Sequence, residues 1–126
     1  MKLFQNLSDS EMEIMQYVWQ SGEAVTTSLL LEVFSHKGWK VQTVSTFLTR
    51  LAEKGALNVE KRGKSNIYTA AVTEAEYYKL EARHLIDSKY HGSMLDFLAA
   101  FYGGQGVSSA EAEELRQWFE KEAGLE

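Results

Sequence analysis

One segment, WKVQTVSTFLTRLAEKG at positions 39–55, constrains the fold more than any other part of the chain. Four of its apolar residues recur at the three- and four-residue spacing that places side chains on one face of an α-helix. These residues are Val44, Phe47, Leu48 and Leu51. Gly55 suits the left-handed conformation that ends many helices. The sequence therefore predicts one helix over 39–55 that buries a single face.

The opposite face of this helix is polar, but its side chains are short. Exposed helix faces usually carry long charged residues such as Glu and Lys, which are good helix formers. This face carries Gln42, Ser45, Thr46, Thr49 and Arg50. Short polar side chains let a helix lie deep in the DNA major groove and reach phosphates and base edges. Taken alone, the segment is equally compatible with a DNA-contacting helix and with a core helix whose polar face is only solvated.

Two shorter helices are predicted before this one. Ser8 and Glu11 have the spacing of a capping box, so the first helix is expected to begin at Ser8 and to end at Ser21–Gly22. Thr26 is expected to cap the second, which ends at the turn over 36–38. The residues expected to be buried are Met12, Met15, Val18 and Trp19 in the first helix and Leu29, Leu30, Val33 and Phe34 in the second. Three helices joined by tight turns predict a helix-turn-helix.

The hydrophobic period changes from about 3.6 to 2 after Gly55, which predicts strands. Apolar and polar residues alternate over 57–62, and β-branched and aromatic residues over 67–72 predict a returning strand. The residues between them, Arg62-Gly63-Lys64-Ser65-Asn66, form a basic hairpin tip. Three helices followed by a basic hairpin are typical of a winged helix-turn-helix.

The net charge of −5 is distributed unevenly along the chain. Residues 36–68 contain an excess of basic over acidic side chains, although the whole chain is acidic. The basic residues are Lys37, Lys40, Arg50, Lys54, Lys61, Arg62 and Lys64, and the acidic ones are Glu53 and Glu60. Attraction to phosphates depends on charges at the contact surface and not on the charge of the whole chain. The segment 36–68 is therefore compatible with nucleic-acid binding.

Three further helices are predicted after residue 72. The pairs Thr73/Glu76 and Ser108/Glu111 have capping-box spacing, and Ser93 is expected to cap a shorter helix after a break at His91–Gly92. The sequence thus predicts a winged-helix DNA-binding domain over 1–72 and a helical dimerisation region over 73–126.

The three C-terminal helices carry much apolar surface and have little evident core of their own. We expect them to bury this surface against a second copy of the chain; the alternative is that they fold back on the first domain. The residues predicted to mediate dimerisation are Tyr77, Leu85, Leu95, Leu98, Phe101, Leu115, Trp118 and Phe119.

Several classes of site are excluded or disfavoured. The absence of cysteine excludes a disulfide framework, a thiolate metal site and a cysteine nucleophile. His36, His84 and His91 are scattered, and the i, i+7 spacing of the last two is too long for two ligands of one metal without help from elsewhere. We therefore expect no enzyme activity, no metal and no cofactor. A metal or pH-responsive site near His84 and His91 at a dimer interface is the alternative.

The sequence shows no feature of a membrane or exported protein. No apolar run approaches the roughly 18 residues that a membrane span needs. The N-terminus, MKLFQNLSDSE, lacks the basic region and apolar core of an export signal. Together with the absence of cysteine, this predicts a cytoplasmic protein that has no membrane partner.

Several segments, in the same order along the chain, resemble the BlaI/MecI/CopY family of penicillinase-type transcriptional repressors. The helix segment TVSTFLTRLAEKG at 43–55 is the most specific. The others are EMEIMQYVW at 11–19, RGKSNIYTAAV at 62–72, Glu76-Tyr77, Gly92-Ser93 and SSAEAEELRQ at 108–117. The resemblance covers nearly the whole chain.

The resemblance implies a homodimeric repressor that binds palindromic operators in double-stranded DNA, often built from TACA/TGTA half-sites. Its third helix would enter the major groove. At matching positions, Thr43, Thr46 and Arg50 become base or near-base contacts, and Lys61, Arg62 and Lys64 become phosphate contacts. With the polar face of the helix, the full predicted DNA-binding set is Lys40, Gln42, Thr43, Ser45, Thr46, Thr49, Arg50, Lys61, Arg62 and Lys64.

The chain departs from the family pattern at two features tied to induction. Family members that respond to β-lactams are inactivated by a protease at an Asn-Phe bond, whereas the aligned pair here is Ala100-Phe101. Copper-responsive members carry a C-terminal cysteine motif, and this chain has no cysteine. Operator binding is therefore expected from the resemblance, but an inducing protease is not. The alternative function is a winged-helix module that binds proteins and not DNA.

Overall fold

A computed structural model of the chain describes residues 5–124, and the chain divides into two compact units between His84 and Leu85. The first unit contains α1 (Asp9–Ser21), α2 (Thr27–Val33), a 3-10 turn (Ser35–Lys37), α3 (Val41–Glu53), β1 (Leu57–Arg62), β2 (Ser65–Ala70) and most of α4 (Glu74–Lys89). The second contains the end of α4, α5 (Met94–Tyr102) and α6 (Ser109–Glu122). This order confirms the predicted fold, a winged helix-turn-helix followed by helices. The predicted division by function at 72/73 stays a prediction.

The predicted helix caps are present in the first unit. The Ser8 side chain accepts a hydrogen bond from the Glu11 amide at 3.2 Å, and the Glu11 carboxylate accepts one from the Ser8 amide at 2.8 Å. Helix α1 ends at Gly22, whose φ of 66° is left-handed. Thr26 caps α2 by accepting a hydrogen bond from the Leu29 amide at 3.1 Å. These caps satisfy amides that have no partner within the helix.

Helix α3 begins at Val41 and not at Trp39, so the predicted start was wrong by two residues. Lys40 has an extended backbone and is the N-cap. The ring of Trp39 packs against those of Phe34 and Phe47, with centroids 5.2 Å and 5.1 Å away. This aromatic cluster joins the end of α2 to α3 and sets the direction in which α3 leaves the turn.

The core of the first unit is formed by one face from each helix and by the base of the hairpin. Its buried residues are Ile14, Met15, Val18, Val25, Leu30, Phe34, Val44, Leu48, Leu51, Ala56, Leu57 and Tyr68. Phe47, predicted to be buried, is partly exposed at the edge of this cluster. Burial of Val44, Leu48 and Leu51 confirms the predicted core-facing stripe, and it turns the polar side of α3 outward.

Strands β1 and β2 form an antiparallel hairpin, called the wing below, with a tight turn at Gly63–Lys64. Gly63 has a φ of 59°, which favours glycine at this turn. Val25 bridges to Tyr68 and attaches the wing to the segment before α2. Only Leu57 of β1 is buried, so the outer part of the wing projects into solvent, with Val59 exposed.

The first turn of α4 completes the first unit. Tyr77 is only 3% exposed, and its ring lies 5.9 Å from that of Trp19. Its hydroxyl accepts a hydrogen bond from the Leu7 amide at 3.2 Å and donates one to Glu81 at 3.1 Å. The side chain of Tyr77 is therefore covered within one chain, and its predicted role in dimerisation stays a prediction.

The second unit has well-formed helices and no buried residue within 85–124. Ser93 and Ser108 cap α5 and α6 as predicted, each accepting a backbone hydrogen bond. The ring centroids of Tyr90 and Phe97 lie 5.4 Å apart, and those of Phe97 and Phe101 lie 6.0 Å apart. These contacts order the aromatic side chains but leave much apolar surface open to solvent.

Candidate nucleic-acid interface

The outward side of α3 is a shallow groove lined by the polar residues that the sequence analysis singled out. We call Gln42, Ser45, Thr46, Thr49 and Arg50 the reading face; Glu53 lines the groove at its C-terminal end. The face exists because Val44, Leu48 and Leu51 hold the opposite side of the helix in the core. No long side chain blocks the groove at Ser45, Thr46 or Thr49.

The two threonines of the reading face have their hydroxyl hydrogens engaged within α3. Thr46 donates to the carbonyl oxygen of Gln42 at 2.9 Å, and Thr49 donates to that of Ser45 at 3.0 Å. Each hydroxyl oxygen keeps acceptor capacity, and each side chain also carries a methyl group. In this arrangement the threonines offer an acceptor and an apolar contact, and the hydrogen-bond donors of the reading face are on Gln42, Ser45 and Arg50.

The wing and the start of α3 line the same concavity, called the wing cleft below. Its volume is about 350 Å³. It is lined by Thr26, Thr27, Ser28, Leu31, Val41, Ser45, Lys64, Ser65, Asn66 and Tyr68. Lys64 at the tip of the wing is therefore brought together with Ser45 of the reading face, although 19 positions separate them in the sequence.

The remaining predicted DNA-binding residues lie around this surface. Lys40 is exposed immediately before α3, and Lys61 and Arg62 are exposed at the end of β1. Thr43 is half-buried, which leaves it less accessible than its neighbour Gln42. Sequence reasoning did not include Val41, which is exposed at the first position of α3. By spacing Val41 continues the apolar stripe, three positions before Val44 and seven before Leu48, yet its side chain is exposed.

Ion pairs reduce the number of cations available in the basic segment. Lys37 lies 2.8 Å from Glu13, Lys54 lies 2.6 Å from Glu11, and Arg62 lies 3.7 Å from Glu60. Within residues 5–124, four cations of this segment form no ion pair: Lys40, Arg50, Lys61 and Lys64. These four belong to the start of α3, its reading face and the wing.

The Glu11–Lys54 pair connects the start of α1 to the end of α3. Glu11 is only 1% exposed, and Lys54 also donates to the carbonyl oxygen of Asn6 at 3.0 Å. Burial alone raises the pKa of Glu11, but hydrogen bonds from Lys54 and Ser8 and the charge of Lys54 outweigh it. The net pKa lies below the ordinary value of 4.5. This ionised pair fixes the C-terminal end of the helix that carries the reading face.

Most residues predicted to mediate dimerisation are accessible on a single chain. Leu85, Leu95, Phe101, Trp118 and Phe119 are exposed, and Leu98 and Leu115 are half-buried. Leu95 is the extreme case, at 75% exposure. These seven residues therefore mark an apolar surface on the second unit, whereas Tyr77 lies in the first unit.

Residues 5–124 contain no group of three or more His, Asp or Glu side chains placed to hold a metal ion. None of the helices in this range is long and apolar enough to cross a membrane. The Ala100-Phe101 pair lies inside α5.

Comparison with known proteins gives the family. A family model described as penicillinase repressor matches residues 7–121, which include the reading face, the wing and the helices that follow. The chain belongs to the penicillinase repressor family. This confirms the resemblance seen in the sequence. The family consists of transcriptional repressors, which are not enzymes, as the sequence analysis predicted.

Two relatives illustrate the extent of the similarity. The chain is 30% identical over 121 residues to the penicillinase repressor of Bacillus licheniformis, covering 96% of this chain and 94% of that protein. It is 28% identical over 115 residues to the methicillin resistance regulatory protein MecI of Staphylococcus aureus strain N315, covering 91% and 94%. The similarity to these penicillinase-repressor family members thus extends over both units.

A solved structure supports the fold of the first unit. The chain is similar to the solution structure of the DNA-binding domain of the repressor BlaI, with a TM-score of 0.52 and 35% sequence identity. The match covers 61% of this chain and 94% of that one. The first unit is accordingly a winged helix of the penicillinase repressor type.

Proposed function

We propose that this chain is a homodimeric transcriptional repressor that binds a palindromic operator in double-stranded DNA. The observation that carries the proposal is the shared surface of α3 and the wing. It combines a reading face of short polar side chains with four cations that have no ion-pair partner within residues 5–124. The DNA-binding domain of BlaI, to which the first unit is similar, supports the same assignment.

The two parts of this surface have different roles in the proposal. The reading face enters the major groove, where Arg50 donates to base edges and Thr46 and Thr49 offer acceptors and methyl groups. Lys61, Arg62 and Lys64 on the wing, together with Lys40, contact phosphates. Phosphate contacts hold the chain on the duplex, and base contacts select the sequence.

Dimerisation is proposed to occur through the second unit. No residue of 85–124 is buried within a single chain, and Leu95, Phe101 and Trp118 are more than half exposed. Large exposed apolar surfaces of this kind mark association sites. Two copies related by a two-fold axis present two reading faces, which matches a palindromic operator. Repression follows because the bound dimer excludes RNA polymerase from the DNA. The proposed location of the protein is the cytoplasm, where the DNA lies.

The proposal is tested by selecting DNA from a pool of random-sequence duplexes with the full chain. We expect enrichment of a palindrome whose half-sites lie about one helical turn apart or slightly more. Fluorescence anisotropy of the enriched duplex and of a scrambled one, at two salt concentrations, then measures specificity and salt dependence. Sedimentation of the complex counts the chains per duplex, with two expected.

Three results would contradict the proposal. Failure to enrich any sequence would exclude specific DNA binding, and one chain per palindromic duplex would exclude the dimeric mode. No binding to any duplex even at low salt would favour the alternative of a protein-interaction module. In that case the basic surface of α3 and the wing would have no role in DNA recognition.

A further inference from the structure

Val41 is an exposed apolar residue at the start of α3. It is 62% exposed. The other exposed large apolar residues of the first unit are less accessible, and these are Val59, Tyr78 and Leu80. Scattered exposed apolar residues are common on proteins and need no explanation by themselves. The position of Val41 on the proposed DNA-binding surface is what distinguishes it.

The fold does not require valine at this position. The core face of α3 is formed by Val44, Leu48 and Leu51, and Val41 is not among the residues packed in the core. Valine is a poorer helix former than alanine, lysine or glutamate, because its branched side chain loses freedom in a helix. Val41 continues the spacing of the apolar stripe, but its side chain lies beyond the core and is not buried by the fold.

The neighbours of Val41 are groups of the proposed DNA interface. Val41 lines the wing cleft together with Ser45 of the reading face and Lys64 of the wing. It is preceded by Lys40 and followed by Gln42, both exposed. The residues at the N-terminal end of a recognition helix are those that contact base edges. An apolar side chain is therefore exposed beside the reading face, at the end of α3 that is proposed to meet the bases.

We propose that Val41 is a specificity-determining residue that contacts the C5 methyl group of one thymine in each half-site. The thymine methyl is the apolar group that the bases present in the major groove, whereas the other edge groups are hydrogen-bond donors and acceptors. This inference rests on the proposed function and extends it to a base preference. It assigns the recognition of thymine to an apolar contact beside the polar reading face.

The test replaces each thymine of the enriched duplex, one at a time, by deoxyuridine, which removes only the methyl group. Anisotropy with the wild-type chain should show one position per half-site at which the replacement weakens binding about fourfold, as expected for one methyl group leaving an apolar contact. The Val41→Ala variant should bind the thymine and deoxyuridine duplexes equally at that position. Alanine is compatible with the exposed start of a helix, so the variant should fold.

Val59→Ala provides the matched control. It removes the same two methyl groups from an exposed valine of the same unit that does not line the wing cleft. This variant should keep the wild-type sensitivity to deoxyuridine. The inference is overturned if no thymine is sensitive, or if Val41→Ala and wild type lose the same factor at every sensitive position. If selection enriches no sequence, both the proposed function and this inference fail. If a palindrome is enriched but no thymine methyl group affects binding, only this inference fails.

Discussion

Arg50 has the properties of a base-reading residue on the outward side of α3. It lines the groove with Gln42 and Thr46 and forms no ion pair within residues 5–124. We predict that Arg50→Ala weakens binding to the enriched duplex by about 1 to 3 kcal/mol, with a much smaller effect on scrambled DNA. Anisotropy titrations with both duplexes measure the difference. Equal losses on the two duplexes would make Arg50 a phosphate contact.

Lys64 carries the same charge but lies at the tip of the wing. A phosphate contact contributes counterion release that does not depend on sequence. Lys64→Ala should therefore weaken binding to specific and scrambled DNA by a similar factor, and should reduce the slope of log K against log salt by about 1 per chain. The measurement is a salt titration of wild type and variant. An unchanged slope would remove the wing tip from the interface.

Glu11 is predicted to stabilise the fold through its pair with Lys54. Glu11→Gln keeps the shape of the side chain but removes its charge, and it leaves Lys54 with the Asn6 carbonyl and partial access to water. We expect a loss of about 1 to 3 kcal/mol in the free energy of unfolding at pH 7. Urea unfolding monitored by circular dichroism measures it. An exposed pair, Glu13–Lys37, offers the control variant Glu13→Gln, for which a loss below about 1 kcal/mol is expected.

The same pair gives a pH dependence with a definite sign. The folded-state pKa of Glu11 lies below the ordinary value of 4.5, so the unfolded chain binds the proton first as the pH falls. The stabilisation that ionised Glu11 gives the fold is complete above the ordinary pKa. It is lost as the pH falls through the lower folded-state pKa. Glu11→Gln should flatten this acid limb of the stability curve. A variant as acid-sensitive as wild type would show that other carboxylates dominate.

Among the elements, those defined by local patterns were predicted best. The caps at Ser8 and Thr26 and the buried stripe of α3 depend on residues three or four positions apart, and all are present. The start of α3 was misplaced because Trp39 is held by rings of Phe34 and Phe47, which a periodic pattern does not reveal.

Contacts between distant positions explain the other differences. Glu11 is buried because Lys54, 43 positions away, neutralises it. Tyr77 is buried where it contacts Leu7 and Trp19, two residues far from it in the sequence, so its side chain is covered within the first unit. The residues proposed to contact DNA follow one another on α3 and the wing, so the sequence alone could propose most of them, and their role stays a prediction. Val41 was not proposed because its spacing places it on the core stripe, and only the structure shows that its side chain is exposed.

The start of α4 yields a prediction about fragments. A fragment over 1–84 retains Tyr77 and its contacts with Leu7 and Trp19, whereas a fragment over 1–72 loses them. We expect the shorter fragment to be less stable by about 3 to 5 kcal/mol, the range for removing a buried aromatic side chain. Urea unfolding of both fragments measures this difference. Equal stability would show that Tyr77 contributes little to the first unit.

For the whole molecule, the proposed association of two chains through the second unit gives a further prediction. Leu95 is 75% exposed, so a charge there should leave the single chain folded. Leu95→Asp should shift the chain from dimer to monomer in sedimentation and weaken binding to the palindromic duplex. Binding to a duplex with one half-site should be unchanged, which is the internal control. A variant that stays dimeric would place the interface away from this part of α5.

The ion pairs of Lys54 and Lys37 also bear on how such a repressor would search a chromosome. A chromosome offers on the order of 10⁶ or more competing sites, and the time spent at each rises with the number of phosphates neutralised. Glu11 and Glu13 occupy two lysines of the basic segment, which leaves fewer cations to hold the dimer on unrelated sequence. On the proposed function, each mistaken encounter would then be shorter, and the proposed dimer would sample more of the chromosome in a given time.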